Sequence, residues 1–241
     1  MTGTLYGLGV GPGDPELITL KAHRILGAVP VVAYPAPDTG ESFARSIVAA
    51  YLDPSQREIP IVVPMRVERF PAKAVYDAAS AAIAAELDAG HDVAVLCEGD
   101  PFFYGSFMYL FERLAGHYRV EVVPGVSSLM ASAAATRRPL AARIDVLTVL
   151  PGPLDDTALA AGIASADAVA IIKIGRHFKR VRALLEKMNL IGTAIYAERV
   201  SLGTERLMPL ASVEGEAPYF SMILIYKGAE AWVADLGKAG S

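Results

Sequence analysis

The residues of this chain best suited to chemistry stand together in one segment, EGDPFFYG, from Glu98 to Gly105. The segment holds two carboxylates and three aromatic rings, and it lacks the run of glycine N–H groups that cradles a polyphosphate. Carboxylates attract cations and repel phosphate, while aromatic rings offer flat apolar walls. We therefore expect this segment to face a cationic or neutral flat ligand rather than a nucleotide polyphosphate.

An earlier glycine cluster, GLGVGPGDPE at 7–16, resembles a dinucleotide-binding loop but differs from it in two respects. Pro12 and Pro15 have no N–H to offer a pyrophosphate, and Asp14 would repel one. A G-x-G-x-x-G pattern that starts at Gly9 would also need glycine where Asp14 stands. Two interpretations stay open: a tight turn between a strand and a helix, and a loop that lets a large ligand approach the backbone closely.

Several residues near these motifs also have a purely structural interpretation. In the third motif, VPGVSS at 123–128, Ser127 and Ser128 could cap the following helix or bind a ligand, because the N–H groups at a helix start are free for both. Asp100 before a proline is typical of a turn. We expect one ring of the Phe103–Tyr104 pair to belong to the core.

Short apolar, β-branched runs alternate with longer helical patterns along the chain, which predicts strands alternating with helices. In the first half the predicted strands are 4–10, 30–34, 59–63, 93–97 and 120–123. In the second half they are 146–150, 168–174, 194–197, 205–209 and 220–226. The alternation implies crossover helices and a largely parallel sheet. Little helix separates the last two strands, which indicates an antiparallel or mixed edge.

The first predicted helix has Asp14 as its N-cap and carries apolar side chains from Ile18 to Leu26 on one face. Three more predicted helices are 72–89, 157–164 and 178–188. The acidic segment directly follows strand 93–97, so it should lie at the carboxyl end of a parallel strand. Open α/β sheets bind their ligands at that edge.

The composition limits the class of protein. Apolar residues make up 53% of the 241 positions, yet no apolar run reaches the roughly 18 to 20 residues of a membrane helix. A net charge of −4 argues against a general nucleic-acid surface. The single cysteine, Cys97, excludes an internal disulfide, and the first residues show no basic-then-apolar export signal. We expect a cytoplasmic protein without a membrane or nucleic-acid partner.

Three motifs, in this order and spacing, resemble the signatures of the tetrapyrrole (corrin/porphyrin) methyltransferases: GLGVGPGDPELITLKA at 7–22, EGDPFFYGS at 98–106 and VPGVSS at 123–128. Further segments that resemble the family are 172–176, 197–200 and 219–224. The resemblance implies the two-domain α/β fold of class III methyltransferases, with a mostly parallel or mixed sheet in each domain. We place the domains at 1–124 and 125–241. The family also implies a homodimer with the cofactor in the cleft between the domains.

The resemblance implies that S-adenosylmethionine donates a methyl group to a ring carbon of a cyclic tetrapyrrole and leaves as S-adenosylhomocysteine. Within the family, the motif at 97–110 is most similar to enzymes that methylate precorrin-2 at meso carbon C(20), a step of cobalamin biosynthesis that yields precorrin-3A. The alternatives are a cobalt-loaded ring, another precorrin or uroporphyrinogen as substrate, and a tetrapyrrole carrier without catalysis. Relatives acting on uroporphyrinogen place an aspartate after the second strand, where this chain has Tyr34 and Pro35.

Mapped by motif, the resemblance assigns to the cofactor Pro12, Glu98, Gly99, Asp100, Phe103, Ser127, Ser128, Ile174 and Val200. The residues assigned to the tetrapyrrole are Gly11, Gly13, Tyr104, Arg66 and Arg138. The arginines are chosen because the acetate and propionate groups of the ring need basic partners at the rim of an apolar trough. Asp14 and Glu98 are the candidates for proton transfer. The histidines lack a second ligand at metal spacing, so no metal site is predicted.

Overall fold

The computed structural model describes residues 1–63, 71–228, 230 and 232, with the backbone alone for 71 and 72. The chain forms two compact units, Met1–Ser128 and Leu129–Ser241, and each unit contains one five-stranded sheet. Arg66, which we predicted to bind the tetrapyrrole, lies outside the described residues. The assignment of the trough and the cofactor site to the domains 1–124 and 125–241 stays a prediction.

The first unit is built on a parallel sheet with the strand order β3-β2-β4-β1-β5. Its strands are β1 (Thr4–Gly9), β2 (Val31–Ala36), β3 (Arg57–Val62), β4 (Val93–Cys97) and β5 (Arg119–Val123). Every residue of β4, VAVLC, is buried. A continuous apolar run is what a parallel strand covered on both faces requires, and β4 accordingly lies in the middle of the sheet.

Helices cover both faces of this sheet: α1 (Leu20–Leu26), α2 (Phe43–Ile47), α3 (Pro71–Asp88) and α4 (Phe107–Leu114). Leu96 packs in a core cluster with side chains of α1 and α2, while its neighbour Val95 packs with side chains of α3 and α4. Successive strand residues point to opposite faces, so the connection that leaves β1 runs over one face and the connection that leaves β4 runs over the other. The chain thus continues from β1 and from β4 to opposite faces of the sheet, and such a switch point is where open α/β sheets bind ligands.

The start of the first helix differs from the prediction. Asp14 caps only a short 3₁₀ turn, Pro15–Leu17, in which its side chain accepts a hydrogen bond from Glu16 N at 2.8 Å. Ile18 is extended, and α1 begins after Thr19, whose Oγ1 accepts from Ala22 N at 3.2 Å. A second capping residue thus restarts the helix, which the apolar periodicity did not reveal.

The second unit begins within α5 (Ser128–Ala135) and continues with α6 (Asp156–Ala164) and α7 (Phe178–Lys187). Its strands are β6 (Leu147–Pro151), β7 (Ala168–Ile172), β8 (Ala194–Glu198), β9 (Arg206–Pro209) and β10 (Ser221–Tyr226). The strand order is β6-β7-β10-β8-β9. Strands β6 and β7 are parallel, whereas β10 runs antiparallel to both of its neighbours and β9 antiparallel to β8.

The last two strands do not together form the predicted edge. Strand β9 is an edge strand, but β10 lies in the centre between β7 and β8. All six residues of β10, SMILIY, are buried, which suits a central strand and not an edge. The position of β10 at the end of the chain suggested that it lies at the edge of the sheet. Its complete burial instead suits the place between β7 and β8.

The other elements agree with the sequence. Each predicted strand lies within two residues of its observed bounds, and the helices predicted at 72–89, 157–164 and 178–188 lie within one residue of theirs. The α/β class with one parallel and one mixed sheet is confirmed. No helix among the described residues is long and apolar enough to cross a membrane.

Candidate functional site

The three sequence motifs meet at one edge of the first sheet. They follow β4, β1 and β5, which are neighbours and run in the same direction. Their carboxyl ends therefore lie side by side, although the segments are up to about a hundred residues apart in the chain. The acidic segment after β4 is confirmed at the carboxyl end of a parallel strand.

The loops after β1 and β4 are joined through their glycines. Gly99 N donates to Gly11 O at 2.7 Å, and Gly11 N donates to Gly99 O at 3.4 Å, as an antiparallel bridge. Val10 N adds a bond to Cys97 O at 2.9 Å. Gly11 and Gly99 have φ of 83° and 67°, a backbone conformation that glycine adopts without strain. The glycine cluster is thus a tight structural turn whose backbone is also brought to the ligand-binding edge.

The loop after β5 packs against the same two loops, backbone on backbone. A Cβ added at Gly125 would lie 2.1 Å from Gly99 O, and one added at Gly9 would lie 2.5 Å from Gly125 N. Neither position can accept a side chain without moving the main chain. One backbone contact therefore requires glycine at a position in each of the three motifs. The sequence showed that the motifs contain glycine but not that these glycines touch.

Asp100 links two of the loops with its carboxylate. Its Oδ1 accepts from Phe102 N at 2.9 Å, which is the turn expected of aspartate before proline, and its Oδ2 accepts from Gly125 N at 3.1 Å. The second bond was not anticipated from the sequence. Because both oxygens are engaged, Asp100 holds the edge of the site in shape.

Glu98 lies between the buried strand β4 and this bridge, and its environment differs from that of Asp100. Glu98 is half-buried, and within residues 1–63 and 71–228 its carboxylate makes no hydrogen bond or ion pair. Burial without a compensating partner disfavours the charged form and raises the pKa of Glu98 to about 7. A carboxyl group with such a pKa can exchange a proton near neutral pH. The other proton-transfer candidate, Asp14, accepts a backbone hydrogen bond as a cap.

The aromatic residues of the acidic segment lie outside the core. Phe103 is half-buried and Tyr104 is exposed with φ of 56°, and their rings meet edge to face at 5.2 Å. The prediction that one of them is a core residue is wrong. Phe107 takes that place, because Gly7 leaves room for its ring: a Cβ at Gly7 would lie 2.5 Å from Phe107 Cε1.

The remaining predicted cofactor residues are distributed over both units. Ser127 Cα would lie 3.5 Å from a Cβ added at Gly99, and Ser128 is the first residue of α5. Ile174 is fully buried in the apolar core of the second unit, and Val200 is buried after β8. For these residues a role in cofactor binding stays a prediction.

Arg138 is not at a solvent-exposed rim. It is 4% exposed in the second unit, and its Nη1 donates to Thr193 O at 2.8 Å. Its role toward ring carboxylates stays a prediction. Over the described ranges, the structure shows no group of three or more His, Cys, Asp or Glu side chains placed to hold a metal ion.

Comparison with known proteins agrees with this geometry. Residues 4–213 match the family model of the Tetrapyrrole (Corrin/Porphyrin) Methylases. The chain belongs to this family. The matched region contains all three motif loops of the methylase and both of its sheets except β10.

Three curated relatives and one solved structure illustrate the similarity of the methylase. It is 44% identical to cobalamin biosynthesis protein CobIJ of Mycobacterium tuberculosis over 94% of the chain and 46% of that protein. It is 38% identical to precorrin-2 C(20)-methyltransferase of Sinorhizobium sp., over 92% and 95% of the two chains. It is 33% identical to cobalt-precorrin-2 C(20)-methyltransferase of Salmonella typhimurium, over 94% and 98%. The chain thus spans about half the length of the mycobacterial relatives.

The fold of the methylase is also that of a solved structure, uroporphyrin-III C-methyltransferase of Thermus thermophilus complexed with S-adenosylhomocysteine. The TM-score is 0.67 at 24% identity, over 95% of this chain and 94% of that one. This likeness establishes a shared two-unit architecture of α/β sheets.

Proposed function

We propose that the methylase transfers a methyl group from S-adenosylmethionine to meso carbon C(20) of precorrin-2. The products are precorrin-3A and S-adenosylhomocysteine, in a step of cobalamin biosynthesis. The observation that carries the proposal is the similarity, over nearly the whole length of both chains, to the Sinorhizobium relative named for this reaction. The relative named for the cobalt-loaded ring is less similar to this chain.

The loops at the carboxyl edge of the first sheet suit S-adenosylmethionine, which when bound supplies an electrophilic methyl group on a sulfonium cation. The edge offers backbone carbonyls and the carboxylates of Glu98 and Asp100, which are acceptors for a cation. Pro12 stands where a phosphate site would need an N–H group. Gly99 joins the loops after β1 and β4 through its backbone bridge to Gly11. We assign the cofactor to Pro12, Glu98, Gly99, Asp100, Phe103, Ser127, Ser128, Ile174 and Val200.

Glu98 is proposed to accept the proton that leaves C(20). Methylation replaces the hydrogen of that ring carbon by a methyl group, so one proton must be removed from it. The half-buried Glu98 carboxylate, with a pKa near 7, is charged in enough molecules at neutral pH to accept this proton. Asp100 has both oxygens engaged in holding the loops and is therefore assigned to positioning.

Incubation of the purified protein with labelled S-adenosylmethionine and metal-free precorrin-2 without oxygen tests the proposal. Mass spectrometry and NMR should show one added methyl group at C(20) together with release of S-adenosylhomocysteine. A product methylated elsewhere on the ring would overturn the C(20) assignment. Binding of the tetrapyrrole without consumption of S-adenosylmethionine would favour the alternative that the protein is a tetrapyrrole carrier without catalysis.

The same assay with the cobalt-loaded ring distinguishes the second candidate function, which the 33% identity to the Salmonella relative supports. Turnover of the cobalt complex without turnover of the metal-free ring would support the same methylation reaction but identify the cobalt complex as the substrate. Uroporphyrinogen serves as a further comparison. The hydroxyl of Tyr34, near the position of the aspartate in uroporphyrinogen enzymes, donates to Glu58 Oε2 at 2.6 Å and is thereby engaged in a structural contact.

A cytoplasmic homodimer is the proposed state of the protein. Four large apolar side chains in the segment 102–109 after β4 are exposed: Phe102, Tyr104, Met108 and Tyr109. A group of this kind is typical of a protein interface. Light scattering should show a dimer that Met108→Lys weakens, while Leu20→Lys, at an exposed apolar residue on α1, leaves it intact. A monomeric wild-type protein would refute the dimer.

A further inference from the structure

Arg138 occupies a position that normally belongs to an apolar residue. Helix α5 ends in a Schellman motif, in which Arg137 has the left-handed φ of 52°. Arg137 N donates to Ala134 O at 3.1 Å, and Arg138 N donates to Ala133 O at 3.0 Å. The residue in the place of Arg138 in this motif usually makes a hydrophobic contact with the last turn of the helix. The backbone therefore directs an arginine side chain into the protein.

The guanidinium of Arg138 is poorly satisfied where it lies. Its Nη1 donates to Thr193 O, but its buried Nε has no hydrogen-bond partner among the residues that the structure describes. The ring of Tyr226 is 6.0 Å from the guanidinium carbon, at the outer limit of a cation–π contact. In the part of the chain that the structure describes, no carboxylate forms an ion pair with Arg138. The nearby Asp145 accepts hydrogen bonds from the Tyr226 hydroxyl and from Ala142 N instead.

An arginine keeps its charge even when it is buried, because its pKa is far above neutral pH. Burial lowers the pKa of Arg138 from its ordinary value. A buried charge without a counter-charge destabilises the folded protein. A local departure of this kind from the ordinary sequence rules is expected where a protein has a binding function.

A small pocket lies next to Arg138. It is lined by Arg138 and by the apolar residues Pro139, Leu140, Val169, Leu224, Ile225 and Tyr226. Its free space is about that of one water-sized molecule. All of these residues belong to the second unit.

We propose that this pocket, whose lining includes Arg138, is a binding site for a monovalent inorganic anion of the size of chloride. The anion supplies the counter-charge that Arg138 lacks among the described residues, and it accepts the hydrogen bond of Nε. A single water would satisfy Nε but not the charge, and a large carboxylic acid exceeds the space. The proposal does not rest on the proposed methyl transfer, because none of the lining residues belongs to the motif loops, and it gives Arg138 an inorganic anion as partner in place of the ring carboxylates.

Thermal unfolding in sodium chloride and in sodium gluconate of equal ionic strength tests the site, because gluconate is too large for the pocket. Chloride should raise the Tm of the wild type by about 2–4 °C over gluconate. Arg138→Met should abolish this difference while it keeps an apolar stem in place. Arg137→Met, which removes the same charge from the exposed neighbouring residue, should retain it. An equal chloride effect in wild type and Arg138→Met would overturn the proposal.

Anomalous scattering provides a direct measurement. Crystals of the full chain grown or soaked in sodium bromide should show a bromide peak within about 3.5 Å of Arg138 Nε. A map with bromide elsewhere and only water beside Nε would refute the site. The Arg138→Met crystal should lack the peak under the same conditions.

Discussion

Glu98 and Glu198 stand at corresponding places in the two units, directly after β4 and at the end of β8, yet their surroundings are opposite. Glu198 is 3% exposed, and its carboxylate accepts from Tyr196 Oη at 2.8 Å and Arg206 Nη1 at 3.3 Å. Arg199 Nη1 lies 3.4 Å from its other oxygen. Glu98 makes no such contact among the described residues, and burial raises its pKa to about 7.

The difference shows that a carboxylate at a strand end acquires its role from its partners. Two arginines and a hydroxyl offset the burial of Glu198. Burial, together with the hydrogen bond to Glu198, raises the pKa of Tyr196 well above its ordinary value, so that its hydroxyl remains a donor. In the described part of the chain no arginine or hydroxyl stabilises the charge of Glu98 in this way, and the group can therefore gain and lose a proton near pH 7.

The largest expected effect is that of Glu98→Gln on turnover. The amide keeps the shape of the side chain but cannot accept the proton from C(20), so kcat/KM should fall by about 100- to 1000-fold. Glu198→Gln, the matched change at the partnered glutamate, should leave kcat/KM of the folded protein within about threefold. Steady-state kinetics with precorrin-2 and calorimetric titration with S-adenosylmethionine separate the two possible roles of Glu98. Loss of cofactor affinity at unchanged kcat would make it a binding residue only.

For the free energy of unfolding we expect the opposite: the change at Glu198 has the larger effect and the change at Glu98 the smaller. Glu198→Gln should reduce the free energy of unfolding by about 3 kcal/mol, because the buried network around Tyr196 loses its central anion. Glu98→Gln should leave the stability at pH 7 unchanged or higher, since it removes a poorly solvated carboxylate. Urea unfolding of the two variants measures both. Equal losses would contradict the distinction between the two glutamates.

A third prediction concerns pH. The pKa of Glu98 is about 7 in the folded protein against 4.5 without burial, so the folded state holds the proton more tightly. Its contribution to stability is full below pH 4.5 and is lost as the pH rises through 7, by about 3 kcal/mol in all. Urea unfolding between pH 5 and pH 9 should show this loss in the wild type relative to Glu98→Gln. A constant difference between them would mean that Glu98 titrates normally.

The smallest effect is expected for Tyr196→Phe. This change removes one hydrogen bond to Glu198, while Arg206 and Arg199 still pair with the carboxylate. The free energy of unfolding should fall by about 1 kcal/mol. Phe178→Leu, which alters the ring packed 5.6 Å from Tyr196 without touching the carboxylate, serves as the control for packing. In the Glu198→Gln background, the loss from Tyr196→Phe should shrink if the two groups act through their shared bond.

Local patterns were sufficient for most of the fold. The apolar runs of β4 and β7 predicted their strands because a buried strand needs such a run wherever it lies in the sheet. The same reasoning predicted the wrong position for β10, because an apolar run does not indicate which strands will be its neighbours in the sheet. It also misjudged Phe103 and Tyr104, whose packing depends on Phe107 and on the space at Gly7.

What the sequence by itself determined is the order of strands and helices, the family, and the presence of three motifs whose glycines and carboxylates exclude a polyphosphate loop. These properties follow from residue type and spacing, which act over a few residues. Only the tertiary structure decided that Gly9, Gly99 and Gly125 touch, that Glu98 has no partner among the described residues, and that Arg138 is buried and lines a pocket. Burial and pairing depend on segments distant in the chain, and these set the free energy of each charge.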